Sequence, residues 1–248
     1  MSTTSSDTPS NPTDQPVSFV QHLEELRRRI GVCFLAFLVA AGVGFWQAEG
    51  LLAWLRVPAG PLLPSFVFFA PTEALGAYLK VASLAGLAIS MPVLLWQAWS
   101  FVRPGLLPRE RSLGAVFVGW GSVLFVAGGA FAYFVLLPAS LRILLGVGRG
   151  LLQPMISVER YLAYALGLIG WCGVVFELPV VVYLLAKVGI VTPEWLRQQR
   201  PLAILGLVVA AALLTPTTDI LNQLLVFLPM IVLYEISIPL ARLARTGP

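Results

Sequence analysis

The feature that most limits what this chain can become is a series of long stretches without a single Asp, Glu, Lys or Arg. One runs between Arg29 and Glu49, a second between Lys80 and Arg103, a third between Arg111 and Arg142, and a fourth between Arg160 and Lys187, broken only by Glu177. Each is long enough to cross a hydrocarbon layer of about 30 Å as a helix rising about 1.5 Å per residue. Only 11% of the 248 residues are charged and 58% are hydrophobic, whereas a soluble domain carries about 25% charged residues. So little polar surface cannot cover a globular core in water, so lipid has to act as solvent. The sequence predicts an all-α, polytopic membrane protein.

Two further spans are expected to be short. Between Arg200 and Asp219 the continuous apolar part is Leu202 to Leu214, roughly 20 Å of helix. The last runs from about Ile220 to Leu240 and is interrupted by Pro229, Glu235 and Pro239, which should leave only a short clean segment. Six transmembrane helices place the N- and C-termini on the same side. Arg27, Arg28, Arg29, Arg103, Arg109, Arg111, Lys187, Arg197, Arg200, Arg242 and Arg245 then share that side, eleven of the 16 basic residues. Lysine and arginine accumulate on the cytoplasmic side of membrane proteins, so both termini are expected to be cytoplasmic.

Residues 1–17 are Ser, Thr, Pro, Asp and Asn-rich, too polar to bury a core, and read as a disordered cytoplasmic tail without the marks of a secretory signal. Residues 18–248 read as a single six-helix domain. It starts with an amphipathic helix over 18–29, where Ser18 and Gln21 have capping-box spacing and Phe19, Leu23, Leu26 and Ile30 share one face. The connection from Glu49 to Thr72 is rich in Trp, Phe and Pro and should form short helices on the outer interface. Small residues recur four apart at Ala36, Ala40 and Gly44 and at Ala82, Gly86 and Ser90, which lets helix backbones approach closely. Cys33 and Cys172 lie in apolar runs and read as packing residues.

No catalytic signature is present: no phosphate loop, no His-Glu-x-x-His, no Gly-x-Ser-x-Gly, and a single histidine, His22. No enzyme activity, cofactor, metal or nucleic-acid partner is expected. The informative residues are acidic. Glu24 and Glu25 stand four residues before Arg28 and Arg29, where ordinary i to i+4 pairs account for them; for Glu25 and for Glu110, between Arg109 and Arg111, a binding role is an even alternative. Glu177 lies ten residues from Lys187, about 15 Å along a helix. An ionised carboxylate at that depth costs about 2.5–3.5 kcal/mol. It should be protonated, face a groove, or meet a polar partner, with Pro179 bending the helix beside it. Contact with a partner is the favoured reading. A proton-coupled secondary transporter using Glu177 is the alternative, and an intramembrane hydrolase a more distant one.

With these residues in place the sequence resembles the TatC family, the polytopic receptor subunits of the twin-arginine protein translocase. The resemblance runs from about Phe19 to Arg242 and rests on His22-Leu-Glu-Glu-Leu-Arg27, Trp99-Ser-Phe-Val-Arg-Pro-Gly-Leu106 with Glu110-Arg111, Ala132-Tyr-Phe-Val135, Phe176-Glu-Leu-Pro179, and Leu214-Thr-Pro216 ahead of Asp219 and Gln223. It implies six helices with both ends in the cytoplasm and a place in a bacterial or archaeal cytoplasmic membrane. It also implies recognition of the Arg-Arg motif of signal peptides on folded cargo, and assembly with TatA and TatB type single-span subunits and other TatC copies into a site driven by the proton-motive force. Motif matching then assigns signal-peptide binding to Glu25, Arg27, Phe101, Glu110 and Arg111, an intramembrane polar contact to Glu177, and further roles in function or assembly to Pro58, Tyr133, Asp219 and Gln223.

The chemistry of arginine supports that reading separately. Its guanidinium stays charged and presents a planar fork that a carboxylate accepts at two points, whereas lysine is a point charge. In an extended peptide adjacent side chains point to opposite sides, so an Arg-Arg pair suits two carboxylates on separate elements, here Glu25 and Glu110. Phe101 offers apolar surface beside them. The two short spans should also leave the bilayer locally thinned.

Overall fold

The computed structural model describes residues 19–62, 67–105, 114–146, 155–214 and 220–246. The N-terminal tail, Ser18, Glu110, Arg111 and Asp219 lie outside the described residues.

Five helical stretches are long and apolar enough to cross a membrane: Leu23–Trp46, Pro71–Val102, Gly114–Leu144, Val158–Lys187 and Ile220–Arg245, with Arg200–Leu214 as a shorter apolar helix. In chain order the helices are α1 (Phe19–Trp46), α2 (Ala48–Arg56), α3 (Pro71–Val102), α4 (Gly114–Phe131), α5 (Leu137–Leu144), α6 (Val158–Phe176), α7 (Leu178–Lys187), α8 (Pro193–Gln198), α9 (Arg200–Leu214) and α10 (Ile220–Thr246). A 3-10 turn, Val57–Leu62, follows α2, and a π-helical turn, Ala132–Leu136, joins α4 to α5. Among the described residues the extended contact is a lone bridge between Val67 and Ser157. The amphipathic start and the first span are one uninterrupted helix, α1.

One expectation is corrected. The sixth span is not short: α10 continues for 27 residues through both Pro229 and Pro239. Each proline withholds one backbone donor, but in apolar surroundings there is no water to reward unwinding, so the helix persists around the loss. The apolar helix at the place of the expected fifth span, α9, is short, at 15 residues.

The spans meet through small residues. A methyl group added at Gly44 would lie 2.9 Å from the Ala82 carbonyl oxygen, and one at Gly86 would lie 2.8 Å from the Ala41 backbone. The two stripes of small residues therefore face each other along the α1–α3 seam, as close-packed helices in lipid require. The opposite face of α1 exposes Phe34, Leu35, Val39 and Val43. Similarly, a methyl at Gly128 would meet the Cys172 carbonyl oxygen at 2.5 Å, and one at Gly173 the Phe125 ring at 2.8 Å, so α4 and α6 touch backbone to side chain.

The main core gathers α2, the α4–α5 junction and α6, where Leu136, Leu137 and Leu162 are almost fully buried. A smaller cluster of Leu95, Trp99, Phe117 and Leu184 lies toward the end of the bundle that carries the N-terminus. Cys172 is buried, Cys33 half-buried, and both are free thiols, in keeping with packing roles.

Candidate functional site

Two places concentrate polar chemistry. The first is where the start of α1 meets the end of α3. Helical spacing puts Glu25 and Arg29 on one face, and the Arg29 guanidinium donates through Nη2 to Glu25 Oε1. Its Nη1 donates to the backbone carbonyl of Gln97 on α3 at 3.2 Å. Glu25 thus stands at the bundle edge, its side chain 37% exposed, held by an arginine that is only 18% exposed. Beside it is a cavity of about 280 Å³ lined by Glu25, Arg28, Arg29, Val32, Gln97 and Ser100. Arg27 is exposed on the next face and lines a shallow depression with Glu24, Glu25 and Arg28. Glu24 is exposed and forms no pair with Arg28 among the described residues. Phe101 is half-buried, one turn beyond Gln97 at the end of α3. Glu25, Arg27 and Phe101 therefore share one end of the bundle, while Glu110 and Arg111 lie outside the described residues.

The second place is the junction of α6 and α7. Pro179 has no backbone N–H to continue the ladder, and the helix breaks at Glu177, whose own N–H bonds back to the Val174 carbonyl at 3.1 Å. The close α4–α6 approach presses this junction against α4: a methyl at Gly121 would come within 3.0 Å of Glu177 Oε2 and 2.6 Å of a Leu95 methyl. Glu177 is 5% exposed, and neither carboxylate oxygen has a hydrogen-bond partner among the described residues. A buried polar group in that state is expensive unless something else meets it. Immediately next to it, walled by Phe117, Trp120, Pro179, Val180, Tyr183 and Leu240, is an apolar cavity of about 530 Å³.

Other residues singled out from the sequence are structural in their contacts. Tyr133, in the π-helical turn, stacks on Trp54 with ring centroids 3.7 Å apart and planes 8° from parallel, and donates to the Trp54 carbonyl at 2.8 Å. Tyr161 donates to the next carbonyl, Leu55, at 2.6 Å. Both hydroxyls reach carbonyls in the last turn of α2, where that of Trp54 also accepts the backbone N–H of Val57. Pro58 follows in the 3-10 turn, half-buried. Gln223 Nε2 donates to the Val208 carbonyl at 3.3 Å. With the Arg200–Glu235 pair at 2.6 Å it ties the short α9 to α10. Asp219 lies outside the described residues.

Sequence reasoning missed Arg29 as more than a local partner of Glu25, and missed Gln97 altogether. The pairing had a visible signal in its spacing; the anchor did not, because every residue offers a carbonyl.

These features define a polytopic helical membrane protein with a charged ledge at one end and a buried carboxylate in its wall. The family model described as "Sec-independent protein translocase protein (TatC)" matches residues 21–229, and the chain belongs to the TatC family, a non-enzymatic component of a protein translocase. It is 38% identical over 232 residues to the TatC protein of Carboxydothermus hydrogenoformans, covering 94% of this chain and 96% of that one. To the Aquifex aeolicus protein it is 36% identical over 228 residues, covering 90% and 94%. It superposes on a crystal structure titled as the twin arginine translocase receptor TatC with a TM-score of 0.81 at 36% identity, covering 90% of this chain and 99% of that one.

Proposed function

We propose that this protein is the membrane subunit that binds the Arg-Arg motif of signal peptides on folded proteins. With TatA and TatB type single-span subunits and further TatC copies, it forms a translocation site driven by the proton-motive force. The observation that carries this reading is Glu25: a partly exposed carboxylate at the bundle edge that already holds a guanidinium, the chemical group a twin-arginine signal supplies. Glu110 takes the second arginine, Arg27 and Arg111 frame the site, and Phe101 receives an apolar part of the signal. Glu177, without a hydrogen-bond partner among the described residues and next to an apolar cavity, offers a polar contact for an inserted signal or partner helix. Residues 18–248 act as one six-helix unit in the cytoplasmic membrane, with both termini inside; Pro58, Tyr133, Asp219 and Gln223 serve assembly.

Photocrosslinkers at positions 25, 110 and 177 test the reading directly. An Arg-Arg leader should crosslink from 25 and 110 and its Lys-Lys variant should not; equal crosslinking of the two overturns it.

The lack of a hydrogen-bond partner for Glu177 among the described residues also favours a second reading, a proton-coupled secondary transporter. It requires substrate-dependent proton uptake by the isolated protein and a polar route to Glu177. The adjoining cavity is apolar except for Tyr183 and Lys187, which speaks for the first reading.

A further inference from the structure

We propose that Arg29 is a built-in competitor for the carboxylate that receives the signal arginine: it occupies Glu25 in the resting protein and is exchanged for a ligand guanidinium on binding. This rests on reading Glu25 as a signal contact. The Arg29 guanidinium is bonded to Glu25 on its own helix and to the Gln97 carbonyl on α3, 68 residues away. It is therefore held in the cavity at two points rather than swinging free. Its Nε is buried with no partner among the described residues, so leaving the cavity brings that donor to water and offsets part of what is lost. Exchange of one arginine for another at Glu25 conserves the charge pair and its hydrogen bonds, which makes both capture and release of a signal shallow steps.

Competition of this kind has a signature. A ligand sees only the fraction of protein in which Glu25 is vacant, so every cationic leader loses apparent affinity by the same factor. Arg29 sets the threshold for binding, whereas the geometry of the acceptors sets the preference for arginine over lysine. A residue that merely props the site open would act in the opposite direction.

The test uses the full chain in nanodiscs of phosphatidylethanolamine and phosphatidylglycerol, with fluorescent synthetic leaders bearing Arg-Arg or Lys-Lys, read by anisotropy. Arg29→Gln should tighten both leaders by the same factor, about two- to fivefold for a pair of this exposure, and leave their ratio unchanged. Arg29→Lys, which keeps the charge but loses the planar double anchor, should fall between the two. Weaker or unchanged binding by Arg29→Gln overturns the proposal, as does tightening of one leader alone. An Arg29→Lys variant indistinguishable from wild type assigns the effect to net charge and also overturns it. Loss of discrimination in the wild type itself sinks the reading of Glu25 and this inference together; wild-type discrimination without tightening sinks only the competitor.

Discussion

The Tyr133 ring lies flat on the indole of Trp54, and its hydroxyl donates to the carbonyl of that same residue. One side chain thus holds both the body and the backbone of the α2 end. Tyr133→Phe keeps the stack and removes one of the two donors to the Trp54 carbonyl, the Val57 N–H remaining, and should lower stability by about 1 kcal/mol. Tyr133→Ala removes the ring as well and should cost about 3–5 kcal/mol. Thermal unfolding in detergent, with proteolysis of the 48–62 segment as a local readout, separates the two.

The glycines of α4 differ in what they face. A methyl at Gly128 meets a backbone oxygen, which cannot step aside, whereas one at Gly121 meets the ends of Leu95 and Glu177. Gly128→Ala should therefore be the more damaging, at the upper end of the roughly 1–3 kcal/mol typical of overpacking. Gly121→Ala should cost less in stability yet change crosslinking from Glu177. Paired melting curves and a crosslinking comparison decide this.

Glu110→Ala should abolish crosslinking of an Arg-Arg leader while leaving membrane insertion intact, because it removes one of the two carboxylates the proposed clamp requires. Full crosslinking by the variant contradicts the two-carboxylate clamp.

The Arg200–Glu235 pair has both side chains 45% exposed, where solvent or headgroups screen the attraction. A double-mutant cycle on the two residues should give a coupling below about 1 kcal/mol. A larger value shows that α9 depends on this pair for its place beside α10.

Helix α9, at 15 residues, spans roughly 22 Å against about 30 Å of hydrocarbon. Adding one turn of leucine to it should impair export if the thin region serves transport. Unchanged export of a folded reporter argues that the short span is incidental.

Much of this was legible in the sequence because its causes are local. Runs without charge marked the first four spans, and stripes at Ala36, Ala40, Gly44 and Ala82, Gly86, Ser90 marked the α1–α3 seam. The i to i+4 spacing of Glu25 and Arg29 announced their pair, and Pro179 the break beside Glu177. What stayed hidden depends on neighbours far along the chain. The Gln97 carbonyl that anchors Arg29 has no sequence signature, nor do the carbonyls of Trp54 and Leu55 that receive two tyrosines. The close approach of α4 to Glu177 falls at Gly121, a residue with no side chain to advertise the contact. The length of α10 through Pro229 and Pro239 is not legible from proline rules that hold in water, because lipid offers the backbone no substitute partner.

Helix α1 runs unbroken from Phe19 to Trp46, so the ledge and the opposite rim belong to a single rod roughly 42 Å long. One side of it exposes Phe34, Leu35, Val39 and Val43, while the other is held against α3 at Gly44 and Gly86. From Glu25 to Trp46 the rod covers roughly 32 Å, so a lean of about 5° at Glu25 would shift the far tip, next to the first residues of α2, by roughly 3 Å. On the proposed reading of Glu25, a tilt of α1 caused at the ledge would be carried along the same rod to the start of α2.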